Sequence, residues 1–87
     1  MIKGSMFRGI DYKCGMLYFN DEKYQRAIAE FTRIANPTDP HIYEMIAKCY
    51  RKLNDTDNFR KNTELASQYY TDCGEPEKAQ QMKDKLS

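Results

Sequence analysis

Residues 12–31 read YKCGMLYFNDEKYQRAIAEF, and the glycine at position 15 is the residue that has to be explained. Its neighbours favour or tolerate a helix, while glycine inside a helix costs about 1 kcal/mol relative to alanine. Cys14, Met16, Leu17 and Tyr18 flank it, so a solvent-facing position is a poor fit. The physical gain from a missing side chain is close approach. Two antiparallel helices pack tightly only where something small sits at their crossing. Gly15 on one helix and Ala27 on the next supply that contact in this reading, with Tyr18 and Tyr24 filling the space to either side.

The rest of the chain extends the pattern. Tyr24, Ala27, Ile28, Phe31, Ile34 and Ala35 recur at helical spacing, with Asp21 as the expected cap and Asn36-Pro37 as the stop. Asp39-Pro40 opens a third helix, striped by Tyr43, Ile46, Ala47, Tyr50 and Leu53. After the turn-forming run 54–57 comes a more polar stripe: Phe59, Thr63, Ala66, Tyr69, Tyr70 and Cys73. Gly74 ends it, and Glu75-Pro76 starts a fifth helix carrying Ala79, Met82 and Leu86. The first helix is expected from Phe7. It shows two apolar sides, one of Phe7, Ile10, Cys14, Leu17 and Tyr18, the other of Tyr12, Met16 and Phe19. No sustained alternation occurs and valine is absent, so strands are not expected. Short connections make sequential helices antiparallel neighbours.

Gly15 and Ala47 are 32 residues apart, as are Tyr18 and Tyr50. A small residue followed three later by an aromatic therefore recurs in equivalent helices, which marks an internal repeat. The pattern resembles the tetratricopeptide repeat (TPR), a helix–turn–helix unit of about 34 residues. Gly15, Tyr18, Tyr24, Ala27 and Phe31 fall on the family's small, aromatic, aromatic, alanine and aromatic positions, with Pro37 and Pro40 near its closing proline. Cys14 and Asp11 depart from the usual leucine and tryptophan. In the second unit Tyr43, Ile46, Ala47 and Tyr50 match. Thr56, Phe59 and Thr63 do not, and an insertion in the preceding turn would explain the mismatch. Leu65-Ala66, Tyr69-Tyr70, Gly74 and Ala79 echo the motif again in a register that overlaps the second unit. The resemblance implies an all-α fold of stacked antiparallel hairpins, a right-handed solenoid of about five helices.

The totals narrow the function. The chain has 87 residues, 40% of them hydrophobic and 31% charged, with 14 basic and 13 acidic side chains for a formal charge of +1. That suits one small folded domain and gives no general pull toward nucleic acid or anionic lipid. No apolar run approaches the roughly 20 residues a membrane span needs. The opening MIKGSM, residues 1–6, reads as an expression-vector remnant, and residues 7–87 as one helical-repeat domain cut from a longer protein. Cys14, Cys49 and Cys73 are odd in number and far apart, which fits small hydrophobes in a reducing, intracellular and cytoplasmic setting. Zinc would need a fourth ligand, and His41 is the sole histidine. No phosphate loop, metalloprotease motif or nucleophile elbow is present, so neither catalysis nor a cofactor is expected.

If the chain is a TPR module, the resemblance implies a concave face that holds a peptide or helix of a partner protein, as in a scaffold or adaptor. Its groove positions would be Tyr12, Met16 and Phe19 on the first helix, and His41, Glu44, Lys48, Arg51 and Lys52 on the third. An apolar anchor followed by acidic residues would complement such a face. The lysine and asparagines with which some TPR domains clamp chaperone C-termini would fall at Tyr12, Met16 and Met45, so that clamp is missing. The alternative is self-association, with the first helix completing a homo-oligomer or a longer solenoid. RNA binding through Arg51, Lys52, Arg60 and Lys61 is the weaker reading, since Asp55 and Asp57 intervene.

Overall fold

The structure is a computed structural model that describes the backbone of residues 3–86 and the side chains of residues 11–86. Among the described residues five α-helices follow one another: α1 (Lys3–Asn20), α2 (Tyr24–Ile34), α3 (Pro40–Lys52), α4 (Thr56–Asp72) and α5 (Pro76–Asp84). No strand occurs among the described residues. Each helix packs on the next in sequence, α3 on α4 most extensively. The Cα envelope measures 37 × 30 × 16 Å. Helices pack 8–10 Å apart, so the short dimension holds two layers of them. No helix of the described residues is long and apolar enough to cross a membrane.

Helix α1 begins four residues before the expected Phe7, and the side chains of Phe7 and Ile10 lie outside the described residues. At its other end the expected stripe divides. Tyr12, Met16, Tyr18 and Phe19 pack against the main core, whereas Leu17 is 68% exposed. The buried side of α1 is thus centred on Gly15. A Cβ built there would stand 2.6 Å from Cε1 of Phe31, 2.8 Å from Cζ and 2.9 Å from Cδ1. Real side chains almost never approach so closely, so the missing atom is what lets α2 lay its phenyl ring on α1. The closest partner of Gly15 is therefore Phe31, with Ala27 fully buried one helical turn earlier.

Three of the four connections are the same turn. Lys23, Asp55 and Glu75 donate their backbone N–H to the carbonyls of Tyr18, Tyr50 and Tyr70 at 2.8, 2.9 and 2.8 Å. Each bond closes over a residue in the left-handed region, Glu22 (φ 62°), Asn54 (φ 61°) and Gly74 (φ 81°). Those residues donate in turn to Phe19, Arg51 and Thr71. This is the Schellman helix stop, which satisfies the last carbonyls of one helix while turning the chain. The residue after it is the N-cap of the next helix. Only Asp55 adds a side-chain cap, accepting from the Asn58 N–H at 3.2 Å.

Several expectations change accordingly. Asp21 does not cap α2; it lies within the turn, where its N–H bonds the carbonyls of Leu17 and Tyr18, and Lys23 takes the N-cap position. The turn after Tyr50 carries no insertion, because Tyr50 precedes Asp55 by the same five positions that separate Tyr18 from Lys23. Helix α4 packs on both α3 and α5, with Ser67 and Tyr70 meeting α5. Ser67 repeats the small-then-tyrosine spacing of Gly15 and Ala47, and all three are buried. Its hydroxyl donates to the Ala79 carbonyl of α5 at 3.0 Å, a contact only a small side chain permits.

The α2–α3 connection is different in kind. Asn36 Oδ1 accepts from the Thr38 N–H at 2.8 Å, and Pro40 stands at the first helical position behind Asp39. The main core gathers Ala27, Phe31, Ile34, Ile42, Met45, Ile46 and Cys49, and a smaller one gathers Ala66, Tyr70, Ala79 and Met82. Ile42, Met45 and Cys49 lie outside the stripe read for α3, while Leu53 from that stripe is exposed. The reason is position: α3 packs on both α2 and α4 and must bury more than one face. Cys73, read as a small hydrophobe, is exposed at the end of α4, with the Pro37 carbonyl 3.8 Å from its Sγ.

The left-handed residues invite a direct test. Gly74 has open space around its α-carbon, so alanine there meets no clash, only an unfavourable φ. Gly74→Ala is expected to cost about 1 kcal/mol, and Glu22→Gly to gain up to about 1 kcal/mol, in thermal melts. Equal or inverted signs would show that these stops do not set the turns.

Candidate functional site

The residues expected to line a binding face do not act as one set. Tyr12 and His41 share a hydrogen bond of 3.3 Å between the phenol oxygen and Nε2, joining α1 to α3. The Tyr12 ring also tilts over Phe31, centroids 5.9 Å apart, so it belongs as much to the core as to the surface. Met16 and Phe19 are half-buried against the same core, and Phe19 meets Tyr24 edge-on at 5.6 Å. Their apolar surface is largely used inside the molecule.

Glu44 is the centre of the polar part. One turn beyond His41 on α3, its carboxylate is only 17% exposed. Tyr70 of α4 donates its hydroxyl to Oε1 at 2.7 Å. His41 Nδ1 lies 3.8 Å from the same oxygen, an ion-pair distance rather than a hydrogen bond. Lys48 Nζ approaches Oε2 at 3.9 Å, and Lys85 Nζ, at the C-cap of α5, at 3.6 Å. His41 above all, then Tyr70, Lys85 and Lys48, hold the carboxyl down to about 2 against the opposing effect of burial. The same carboxylate, together with burial as the larger cause, drives the Tyr70 phenol upward. Burial alone pushes the Cys49 thiol up to about 11, which keeps it protonated and unreactive.

Arg51 and Lys52 stand apart. The Arg51 guanidinium lies 5.6 Å from the Phe59 ring centre, beside a 240 Å³ cleft at the α3–α4 turn. Lys52 is exposed at the end of α3. Two residues of the cluster, Tyr70 and Lys85, were not foreseen. Tyr70 reads from the sequence as a core aromatic, and nothing in the spacing of Lys85 points 41 positions back to Glu44. Among the described residues no group of histidine, cysteine and acidic side chains is placed to hold a metal ion. The chain matches no protein-family model, no curated protein and no solved structure.

Proposed function

We propose that the chain is a non-catalytic interaction module, a TPR-like stack whose odd-numbered helices form one face that holds a peptide or helix of a partner protein. The observation that carries this is a pair of polar contacts that link α3 to α1 and to the end of α5. Tyr12 meets His41 across the first pair, and Glu44 meets Lys85 across the second. Helices that alternate between two faces are what a hairpin solenoid requires. The close contact at Gly15, the repeated Schellman turns and the two-layer thickness support the same arrangement.

The test is oligomeric state followed by mapping. Light scattering over a broad concentration range is expected to show a monomer. Peptides selected from a random library are then expected to shift amide resonances at Tyr12, Met16, His41 and Lys48. A tight dimer broken by a charge at Leu17 would replace this reading with self-association, which the 68% exposure of that leucine favours. Phe19→Asp is a poor probe for either, because Phe19 packs on the core and its loss would also destabilise the fold.

A further inference from the structure

We infer that the outer face of α1, centred on Leu17, is a docking surface for an amphipathic helix of a partner protein, one that packs there as α2 packs on α3 and carries acidic residues beside its apolar stripe. This surface lies at one end of the stack and does not depend on the peptide-holding face proposed above.

The internal repeat identifies the surface. The 32-residue offset that relates Gly15 to Ala47 and Tyr18 to Tyr50 also relates positions 10, 13 and 17 of α1 to Ile42, Met45 and Cys49 of α3. On α3 those three side chains are buried, none more than 4% exposed, in one cluster with Ala27, Phe31 and Ile34 of α2. Their described counterparts on α1 lack such cover: Leu17 is 68% exposed, and Lys13 is exposed as well. A single exposed leucine means little by itself. At a position whose counterpart is seated under a helix, it marks an interface of the same kind. The opposite end of the molecule is built differently. There Glu64, Gln68, Thr71, Asp72 and Lys83 of α4 and α5 line an open cleft and are all exposed, the polar outer surface that closes a helical stack.

The charges select the occupant. Lys13 stands where α3 has Met45, so a helix that fits α1 differs from α2 in meeting an ammonium group rather than a thioether. Along its length α1 sets Lys3, Arg8 and Lys13 against the single acid Asp11. A helix with acidic edges complements that excess, whereas a second copy of α1 would bring like charge against like. The apolar stripe it needs is the one α2 shows, phenylalanine and isoleucine three positions apart, as Phe31 and Ile34 join the cluster on α3.

Helix α2 also supplies the probe. A capped peptide of residues 23–36 carrying Lys23→Glu, Arg26→Glu and Arg33→Glu is titrated into the isotope-labelled chain at about 20 mM salt, where screening is weak. It is expected to shift the Leu17 methyl groups and the amides of Lys13 and Asn20. It is expected to bind about tenfold more tightly than the same peptide with Phe31→Ala and Ile34→Ala, and about threefold more tightly than the peptide with its natural charges. In the chain, Leu17→Asp is expected to weaken binding about tenfold while melting with the parent, because the side chain is exposed. Lys13→Glu leaves the apolar surface intact and is expected to reverse the preference between the acidic and the natural-charge peptides. Binding unchanged by Leu17→Asp, or a charge preference unchanged by Lys13→Glu, would overturn the site. Shifts at Ile42, Met45 and Cys49 would mean that the peptide displaces α2 from α3, which overturns it equally. Leu17 shifts that grow with the chain's own concentration and vanish in Leu17→Asp would assign the face to a second copy instead of a partner. If only His41 and Lys48 shift, the end surface is wrong while the peptide-holding face stands.

Discussion

Gly15→Leu is expected to lower the melting temperature by about 10–20 °C, a loss of roughly 2–4 kcal/mol for a domain of this size. The first atom of the new side chain already stands 2.6 Å from the Phe31 ring, and leucine adds three carbons beyond it. Phe31 has little room to retreat: it is fully buried, and the Tyr12 ring lies 5.9 Å away. Against this, leucine recovers about 1 kcal/mol of helix propensity, which is why the expected loss is not larger. Overpacking has a specific signature. Phe31→Ala alone leaves a cavity and costs about 3–5 kcal/mol. Combined with Gly15→Leu, the leucine fills part of that space, so the double variant should be more stable than the sum of the single losses by about 2 kcal/mol. Strict additivity in a double-mutant cycle, or a Gly15→Leu chain that melts with the parent, would remove the basis for the α1–α2 packing described here.

The second large effect belongs to Glu44. Its carboxyl is held near 2, well below the ordinary 4.5, by His41 first and by Tyr70, Lys85 and Lys48 after it. A lowered folded-state value means stability that is complete above about pH 4.5 and is lost as pH falls through about 2. Allowing for the partly open surroundings, the contribution at neutral pH is about 1–3 kcal/mol. Glu44→Gln retains an acceptor for the Tyr70 hydroxyl but removes the charge. It is expected to melt about 5–15 °C below the parent at pH 7 and to converge with it near pH 2. A gap between the two proteins that stays constant from pH 7 to pH 2 would mean that the carboxylate's charge contributes nothing and that packing alone explains the loss.

The positions read from sequence as a groove are brought together only in part, for reasons visible in particular side chains. Tyr12, His41, Glu44 and Lys48 come together because they lie on facing sides of α1 and α3, as helical spacing implies. Glu44, however, is turned inward by Tyr70, a residue of α4, and that approach depends on how α3 packs against α4. Arg51 shares the helix face of Lys48 in a helical wheel, yet Phe59 draws it toward the next turn. Met16 and Phe19 looked like a free apolar surface because periodicity cannot say whether a stripe faces a neighbour or water.

Local chemistry is enough to place the helices and their stops. Proline at the first turn of α3 and α5, asparagine or glycine at two of the three positive-φ stops (Glu22 holds the third), and the three-residue step from a small side chain to tyrosine all act within a few bonds of backbone, so they are readable one segment at a time. Which arm pairs with which is different. That α4 packs on both α3 and α5, that Phe31 rather than Ala27 comes closest to Gly15, and that Lys85 reaches Glu44 are outcomes of helices competing for the same buried space. Such outcomes depend on distances between residues remote in sequence, which only the packed chain defines.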